Sequence, residues 1–141
     1  MRLARGVGAK GHVFATDIQR GMLDLIEARV QHEHLKNVTT VLGSPDDPSL
    51  PAHAIDLALM VDVYHELQAP QTFMRRLREA LKPDGRLVLL EFRKEDPAVP
   101  IRPEHKMTVD EVRRELSADG FVFDSTIEIL PWQHIIVFKA R

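Results

Sequence analysis

A few side chains in this sequence have the type and placement to do chemistry. Asp17 ends the run Val13-Phe-Ala-Thr-Asp-Ile18, which is rich in small and apolar residues. In open α/β sheets, ligands bind outside the carboxyl ends of the strands, and a carboxylate there can accept both hydroxyl protons of a ribose. The competing reading is that Asp17 caps the helix that follows, because a short carboxylate also satisfies free amides at a helix start. His65 follows an apolar run, and His105 stands in a long loop. Histidine changes charge near neutral pH, which suits it to general acid–base work. Tyr64 and Glu91 lie close to strand ends and share that option. For all four the alternative is a polar residue at a helix start or in a solvated loop.

Two other patterns lead nowhere. Gly6-Val-Gly-Ala-Lys-Gly11 matches the dinucleotide fingerprint letter by letter. That fingerprint works only where the glycines follow a strand and open a helix, so that the helix N-terminus meets a phosphate. Here they follow a short helical stretch and open a strand, which predicts a helix stop and a turn. Metal chemistry is not expected. His32 and His34 are two apart on a helix and face different sides. Asp46-Asp47 offers too few oxygens for a hard cation. With no cysteine, thiolate sites and disulfides are excluded.

The elements that must position these residues alternate along the chain. Residues 12–18 predict a strand. Residues 20–35 predict a helix with Met22, Leu25, Ile26 and Val30 on one side. Residues 38–42 are a β-branched strand ending at Gly43, and 44–53 are a loop with three prolines. Ile55–Val61 is nearly continuously apolar, as a strand buried on both faces would be. A helix over 70–81 places Phe73, Met74 and Leu77 in the core, with Arg75, Arg76 and Arg78 on a solvated face. Lys82-Pro-Asp-Gly85 stops that helix, and 86–92 is a second buried strand. A Pro-rich loop covers 94–107. Thr108-Val-Asp-Glu111 has the spacing of a capping box for a helix ending at Gly120. Strands 121–130 and 133–139, separated by Pro131-Trp132, predict an antiparallel hairpin. The order β-α-β-β-α-β-α-β-β specifies an α/β fold: a mostly parallel Rossmann-like sheet with helices on both faces and a C-terminal hairpin.

Composition sets the outer limits. The chain has 141 residues with 19 basic and 21 acidic side chains, a net charge of −2. That length suits one domain. A pI near 6.4 argues against nucleic acid or an anionic membrane as the main partner. There is no secretory h-region and no apolar run of membrane-spanning length. A cytoplasmic protein fits these limits.

Taken together, several segments resemble the class I S-adenosylmethionine-dependent methyltransferases. They are Val13-Phe-Ala-Thr-Asp-Ile18 with Met22-Leu23, then Val41-Leu-Gly-Ser-Pro-Asp-Asp-Pro-Ser-Leu-Pro51, Ile55-Asp-Leu-Ala-Leu, Val63-Tyr-His-Glu-Leu67, Leu81-Lys-Pro-Asp-Gly-Arg-Leu-Val-Leu89 and Gly120-Phe121. They stand in the family's order and cover nearly the whole chain. Leu90-Glu-Phe92 is similar to the quinone-biosynthesis type. The resemblance begins just after the family's first glycine-rich motif, so the chain reads as N-terminally truncated relative to that family.

The resemblance implies S-adenosyl-L-methionine as cofactor and a small-molecule acceptor. Asp17 would hold the ribose and Ile18 would pack on the adenine. Ser44, Pro45 and Asp46 would flank the adenine, with Ser44 departing from the Asp common in the family and Asp46 as its replacement. Val61 and Asp62 would lie near the methionine portion and the acceptor. His65 and His105 are the candidate catalytic residues. In the family's sheet the first strand is central, so strands 12–18 and 55–61 are expected to have unpaired edges, to pair with each other, or to be completed by a second copy in a homodimer. The chain alone is then expected to be poorly stable and to bind the cofactor weakly or not at all. The alternative is a truncated, non-catalytic Rossmann-like fragment. A dehydrogenase is disfavoured by the glycine context and by the hairpin.

Overall fold

The computed structural model describes residues 1–140. They form two compact units, residues 1–50 and residues 51 onward.

The first unit contains helix α1 (Arg2–Gly6), strand β1 (Val13–Asp17), helix α2 (Arg20–His32) and strand β2 (Val38–Leu42). Strands β1 and β2 pair in parallel, Val13 opposite Val38 and Asp17 opposite Leu42. The glycines after α1 stop a helix, as their context predicts. Gly8 adopts φ +73°, and its N–H donates to Arg5 O. A Cβ on Gly11 would sit 2.5 Å from Val7. The amide Nδ2 of Asn37 donates to the carbonyls of Ala4, Gly8 and Gly11. These backbone groups therefore serve a turn. Helix α2 differs from its expected face: Leu23 is the fully buried residue, with Ile26 and Val30 half-buried, while Met22 and Leu25 are exposed. The i, i+3, i+7 set that faces inward starts one residue later than the stripe read from sequence.

The second unit is built on strand β4 (Leu81–Arg93). On one side β4 pairs in parallel with β3 (Ile55–Val61); on the other it pairs antiparallel with β7 (Gln133–Ala140), which pairs in turn with β6 (Phe121–Ile127). The short strand β5 (Lys106–Met107) adds to the end of β4. Helices α3 (Pro70–Ala80) and α4 (Val109–Ala118) pack on β4 and β6. They bury Met74, Leu77, Val112 and Leu116 with Leu87, Leu89, Ile136 and Phe138 of the sheet.

Four expectations change here. Residues 82–85 are not a simple loop: β4 begins at Leu81 and absorbs Lys82-Pro-Asp-Gly85 as an irregularity against β3 between Ile55 and Leu57. Within the 94–107 loop, β5 and a 3₁₀ turn at Pro103–His105 take shape. Arg78 is half-buried rather than solvated, because it lies against Gly120. Finally, β3 is not buried on both faces. It is the terminal strand of its sheet and one of its faces is uncovered: Ala58 and Met60 are buried, while Leu57, Leu59 and Val61 on the opposite face remain exposed at 51%, 39% and 45%.

The capping box forms as its spacing predicts. Thr108 Oγ1 accepts from Glu111 N at 3.0 Å, and Glu111 Oε2 accepts from Thr108 N at 2.8 Å. The Lys94 ammonium, 2.6 Å away, and the Thr108 N–H hold the Glu111 carboxyl below its usual range. A depressed folded pKa adds stability that is complete above the unfolded value, about 4.3, and fades as pH falls through the folded one. Thr108→Ala is expected to cost about 1 kcal/mol in urea unfolding at neutral pH. For Glu111→Gln, the deficit relative to wild type should shrink on acidification below about pH 4. A deficit that does not change with pH would remove the carboxylate from the cap.

Candidate functional site

The residues singled out from sequence fall into two groups, one in each unit. In the first unit Asp17 ends β1 and is half-buried. Its Oδ1 accepts from Gln19 N at 2.8 Å, which turns the chain toward α2, while Gln19 is the N-cap position and makes no side-chain cap. One carboxylate oxygen thus has the local helix-start role that competed with ligand binding. Ile18, next in the chain, is 52% exposed, an apolar side chain presented beside the carboxylate.

The loop after β2 is a tight turn in which Ser44 and Asp47 exchange backbone hydrogen bonds. Ser44 Oγ donates to Asp46 Oδ1 at 2.6 Å, so the structure brings Ser44 and Asp46 together. Pro45 at the tip is exposed. Thr16 Oγ1 of β1 donates to Pro48 O at 2.9 Å and pins the turn beside the end of β1. Gly43 permits this approach, since a Cβ there would meet Asp47 O at 2.9 Å and Thr16 Oγ1 at 3.1 Å. Sequence reading did not anticipate Thr16 and Pro48, whose contact spans 32 residues.

In the second unit Val61 ends β3 and is exposed, and Asp62 follows it with φ +52°. That left-handed conformation is unusual for a non-glycine residue and is best tolerated by Asp and Asn. Both Asp62 oxygens accept from Gln133 Nε2, at 2.9 and 2.7 Å, and Asp62 N donates to Leu90 O. Asp62 is held by its neighbours in a conformation that directs the chain into the 3₁₀ turn Tyr64–Glu66.

That turn rests on Glu91. Leu87, Leu89 and Glu91 alternate on the buried side of β4, and each has no exposed surface. Glu91 Oε1 accepts from Tyr64 N at 3.0 Å, and Oε2 bonds His65 Nδ1 at 2.6 Å. Burial pushes the Glu91 carboxyl up, and the bond to His65 partly opposes this. His65 Nε2 lies 3.2 Å from His105 Nδ1. The two rings meet edge to face with centroids 5.3 Å apart. Both candidate histidines therefore belong to one cluster, ordered Glu91–His65–His105. With Nδ1–H given to the carboxylate, His65 turns an unprotonated Nε2 toward His105. Tyr64 is a poorer candidate: it is buried, its hydroxyl donates to Glu115 Oε2 at 2.9 Å, and burial drives its ionisation far above the usual range.

The 3₁₀ turn also brings Glu66 to the cluster, a residue not singled out from sequence. The donor atoms of His65, Glu66 and His105 lie within 4.8 Å of one another. No local motif announces this set, because His105 comes from a separate turn 40 residues away.

The sequence profile described as "Methyltransferase domain" matches residues 2–89, more than half of the chain. A SAM dependent methyltransferase from Aquifex aeolicus of known structure is 26% identical, with a TM-score of 0.92 over 99% of this chain and 74% of that one. The uncharacterized protein YafE of Escherichia coli is 28% identical over 125 residues, 89% of this chain and 59% of its own length. The demethylmenaquinone methyltransferase of a Geobacillus strain is 27% identical over 89 residues, 63% of this chain and 38% of its own length. This chain thus spans between about two fifths and three fifths of these curated relatives.

If the turn at Ser44–Asp47 is held by close approach at Gly43, Gly43→Ala must force the loop from β1. The expected cost is about 1–3 kcal/mol in chemical denaturation. It should come with displaced amide resonances for Ser44 to Asp47. Unchanged stability and resonances would refute the close-approach account.

Proposed function

This chain belongs to the methyltransferase-domain family, and we propose that it binds S-adenosyl-L-methionine for methyl transfer to a small-molecule acceptor. The observation that carries the reading is Asp17 at the carboxyl end of β1, within the segment the family profile matches. In this reading Asp17 keeps Oδ1 for Gln19 N and offers Oδ2 to the ribose, and the exposed Ile18 covers the adenine. Ser44 and Asp46, joined through Oγ, supply the polar group near the adenine amine, with Pro45 beside them. Val61 and Asp62, at the end of β3, line the methionine and acceptor side.

The cofactor supplies an activated methyl group on a sulfonium that is already a good leaving group. The protein's share is positioning, and removal of a proton when the acceptor carries one. His65 and His105 are assigned that proton, because the buried Glu91 fixes the His65 ring and leaves Nε2 to accept. Demethylmenaquinone, from the name of one relative, is the first acceptor to assay.

A second reading has a specific observation behind it. The Gly8 and Gly11 carbonyls are held by Asn37, together with that of Ala4 in α1, and the turn precedes a strand rather than a helix. These glycines do not form a cofactor cradle, which favours weak binding without turnover.

Saturation-transfer NMR detects weak ligands and tests the proposal directly. Transfer to the ribose and adenine protons of S-adenosylmethionine is expected for the wild-type chain. Asp17→Ala should weaken binding roughly 10–100-fold, the loss of one charge-assisted hydrogen bond. No transfer with the folded wild type, or equal transfer with Asp17→Ala, would overturn the cofactor assignment. Binding without methyl transfer to any acceptor would favour the second reading.

A further inference from the structure

We propose that His65, Glu66 and His105 form a binding site for a divalent transition-metal ion of the zinc class, with Glu91 as its outer carboxylate. The three donors come from two turns of the second unit, Tyr64–Glu66 and Pro103–His105. His65 Nε2 and His105 Nδ1 are 3.2 Å apart. Two nitrogens bound to one tetrahedral zinc at about 2.0–2.1 Å are separated by about 3.3 Å, so the pair already has the required spacing. Glu66 Oε1 lies 3.9 Å from His65 Nε2, and its side chain is 62% exposed and free to close that gap by rotation. Two imidazoles and one carboxylate make the three-ligand set of an open zinc site, whose fourth position is left to water.

The buried carboxylate behind His65 sets the ring as a metal ligand requires. Metal-bound histidines characteristically give their other ring nitrogen to a carboxylate, which fixes the tautomer and raises the basicity of the ligand. His65 does this with a wholly buried carboxylate, Nδ1 to Glu91 Oε2 at 2.6 Å. Glu91 is held in turn by the Tyr64 N–H. The His65 side chain is itself 6% exposed and cannot turn away from this arrangement without leaving Glu91 only the Tyr64 N–H. The contrast with His134 is instructive. Both its ring nitrogens face carboxylates, Glu128 and Glu95, so neither is left for a metal.

Without metal, the 3.2 Å contact is a hydrogen bond in which His105 Nδ1–H donates to His65 Nε2. When the ion enters, His105 carries its proton on Nε2 instead, and Nδ1 becomes a ligand. No net proton is released. A metal and an acceptor-derived proton therefore compete for His65 Nε2, so occupancy would switch off the proton-accepting role proposed above. The metal proposal does not depend on that role.

Cobalt(II) titration of the full metal-free chain tests the site without cofactor or acceptor, so failure here leaves the methyl-transfer reading untouched. One equivalent should bind with the visible absorption of four- or five-coordinate cobalt, and zinc should displace it stoichiometrically. His105→Ala, on a half-buried turn, should weaken binding at least tenfold with an unchanged circular dichroism spectrum. Glu91→Gln should weaken it roughly 10–100-fold, as loss of an outer carboxylate does. His32→Ala should leave binding intact, since that histidine lies outside the cluster. Absence of saturable cobalt uptake, or full affinity in His105→Ala, would overturn the proposal.

Discussion

A carboxylate with no exposed surface needs partners, and in the second unit the partners of Glu91 define the candidate site. Strand β4 carries Leu87, Leu89 and Glu91 in one inward row, so Glu91 occupies the carboxyl end of a core position. A buried charge left unpaired costs several kcal/mol, about 3–5 when one partner of a buried pair is removed. Tyr64 N and His65 Nδ1 meet that demand at 3.0 and 2.6 Å. The turn Tyr64–Glu66 is thereby tied to the sheet, and its histidine has one ring nitrogen spoken for. The orientation of His65 Nε2, its contact with His105 and the placement of Glu66 all follow from that pairing. Asp62 reinforces it from the other side: Gln133 and the Leu90 carbonyl hold a left-handed residue where the chain must bend into the turn.

The first unit depends on weaker interactions, two of them between residues two apart. Asp17 serves Gln19 N, Ser44 serves Asp46, and Thr16 reaches Pro48 O. Most of these groups are half-exposed or exposed, and each hydrogen bond contributes on the order of 1 kcal/mol. Ile18, Met22 and Leu25 are exposed apolar residues in this unit, and Leu57, Leu59 and Val61 repeat the pattern on β3. A terminal strand with an apolar face is an aggregation hazard when left open. It is also the surface on which a further strand or helix would recover hydrophobic stabilisation.

Most of the element order was legible because periodicity and punctuation are local. β2 and β3 have the boundaries their β-branched and apolar runs predict, and Thr108-Val-Asp-Glu111 caps α4 as its spacing requires. The errors are of one physical kind. Sequence shows which residues are apolar, not which neighbours exist to cover them. Ile55–Val61 has the composition of a central strand, yet it ends its sheet and the face carrying Leu57, Leu59 and Val61 is uncovered. Met22 and Leu25 fit a helical stripe, yet Leu23 holds the buried position. Arg78 looks like its exposed neighbours Arg75 and Arg76 until Gly120, which has no side chain, leaves room for it to lie down. The site divides along the same line. Asp17, His65 and His105 were visible as residue types at strand ends or in loops. The Glu91–His65–His105 order was not, because it joins three segments through contacts 26 and 40 residues long.

These differences in encoding match the chemistry proposed for each half. Recognition of a ribose and an adenine needs a few hydrogen-bonding groups on a turn, and small adjustments of an exposed turn cost little. Directing a histidine lone pair is a stricter requirement, because proton transfer and metal coordination both fail when the ring can rotate. A buried carboxylate enforces that orientation by making rotation expensive: turning His65 away would leave Glu91 with a single partner in the core. The stability invested in Glu91 is therefore what keeps one imidazole nitrogen available, and whether a proton or a metal ion takes it, the geometry that receives it is set before either arrives.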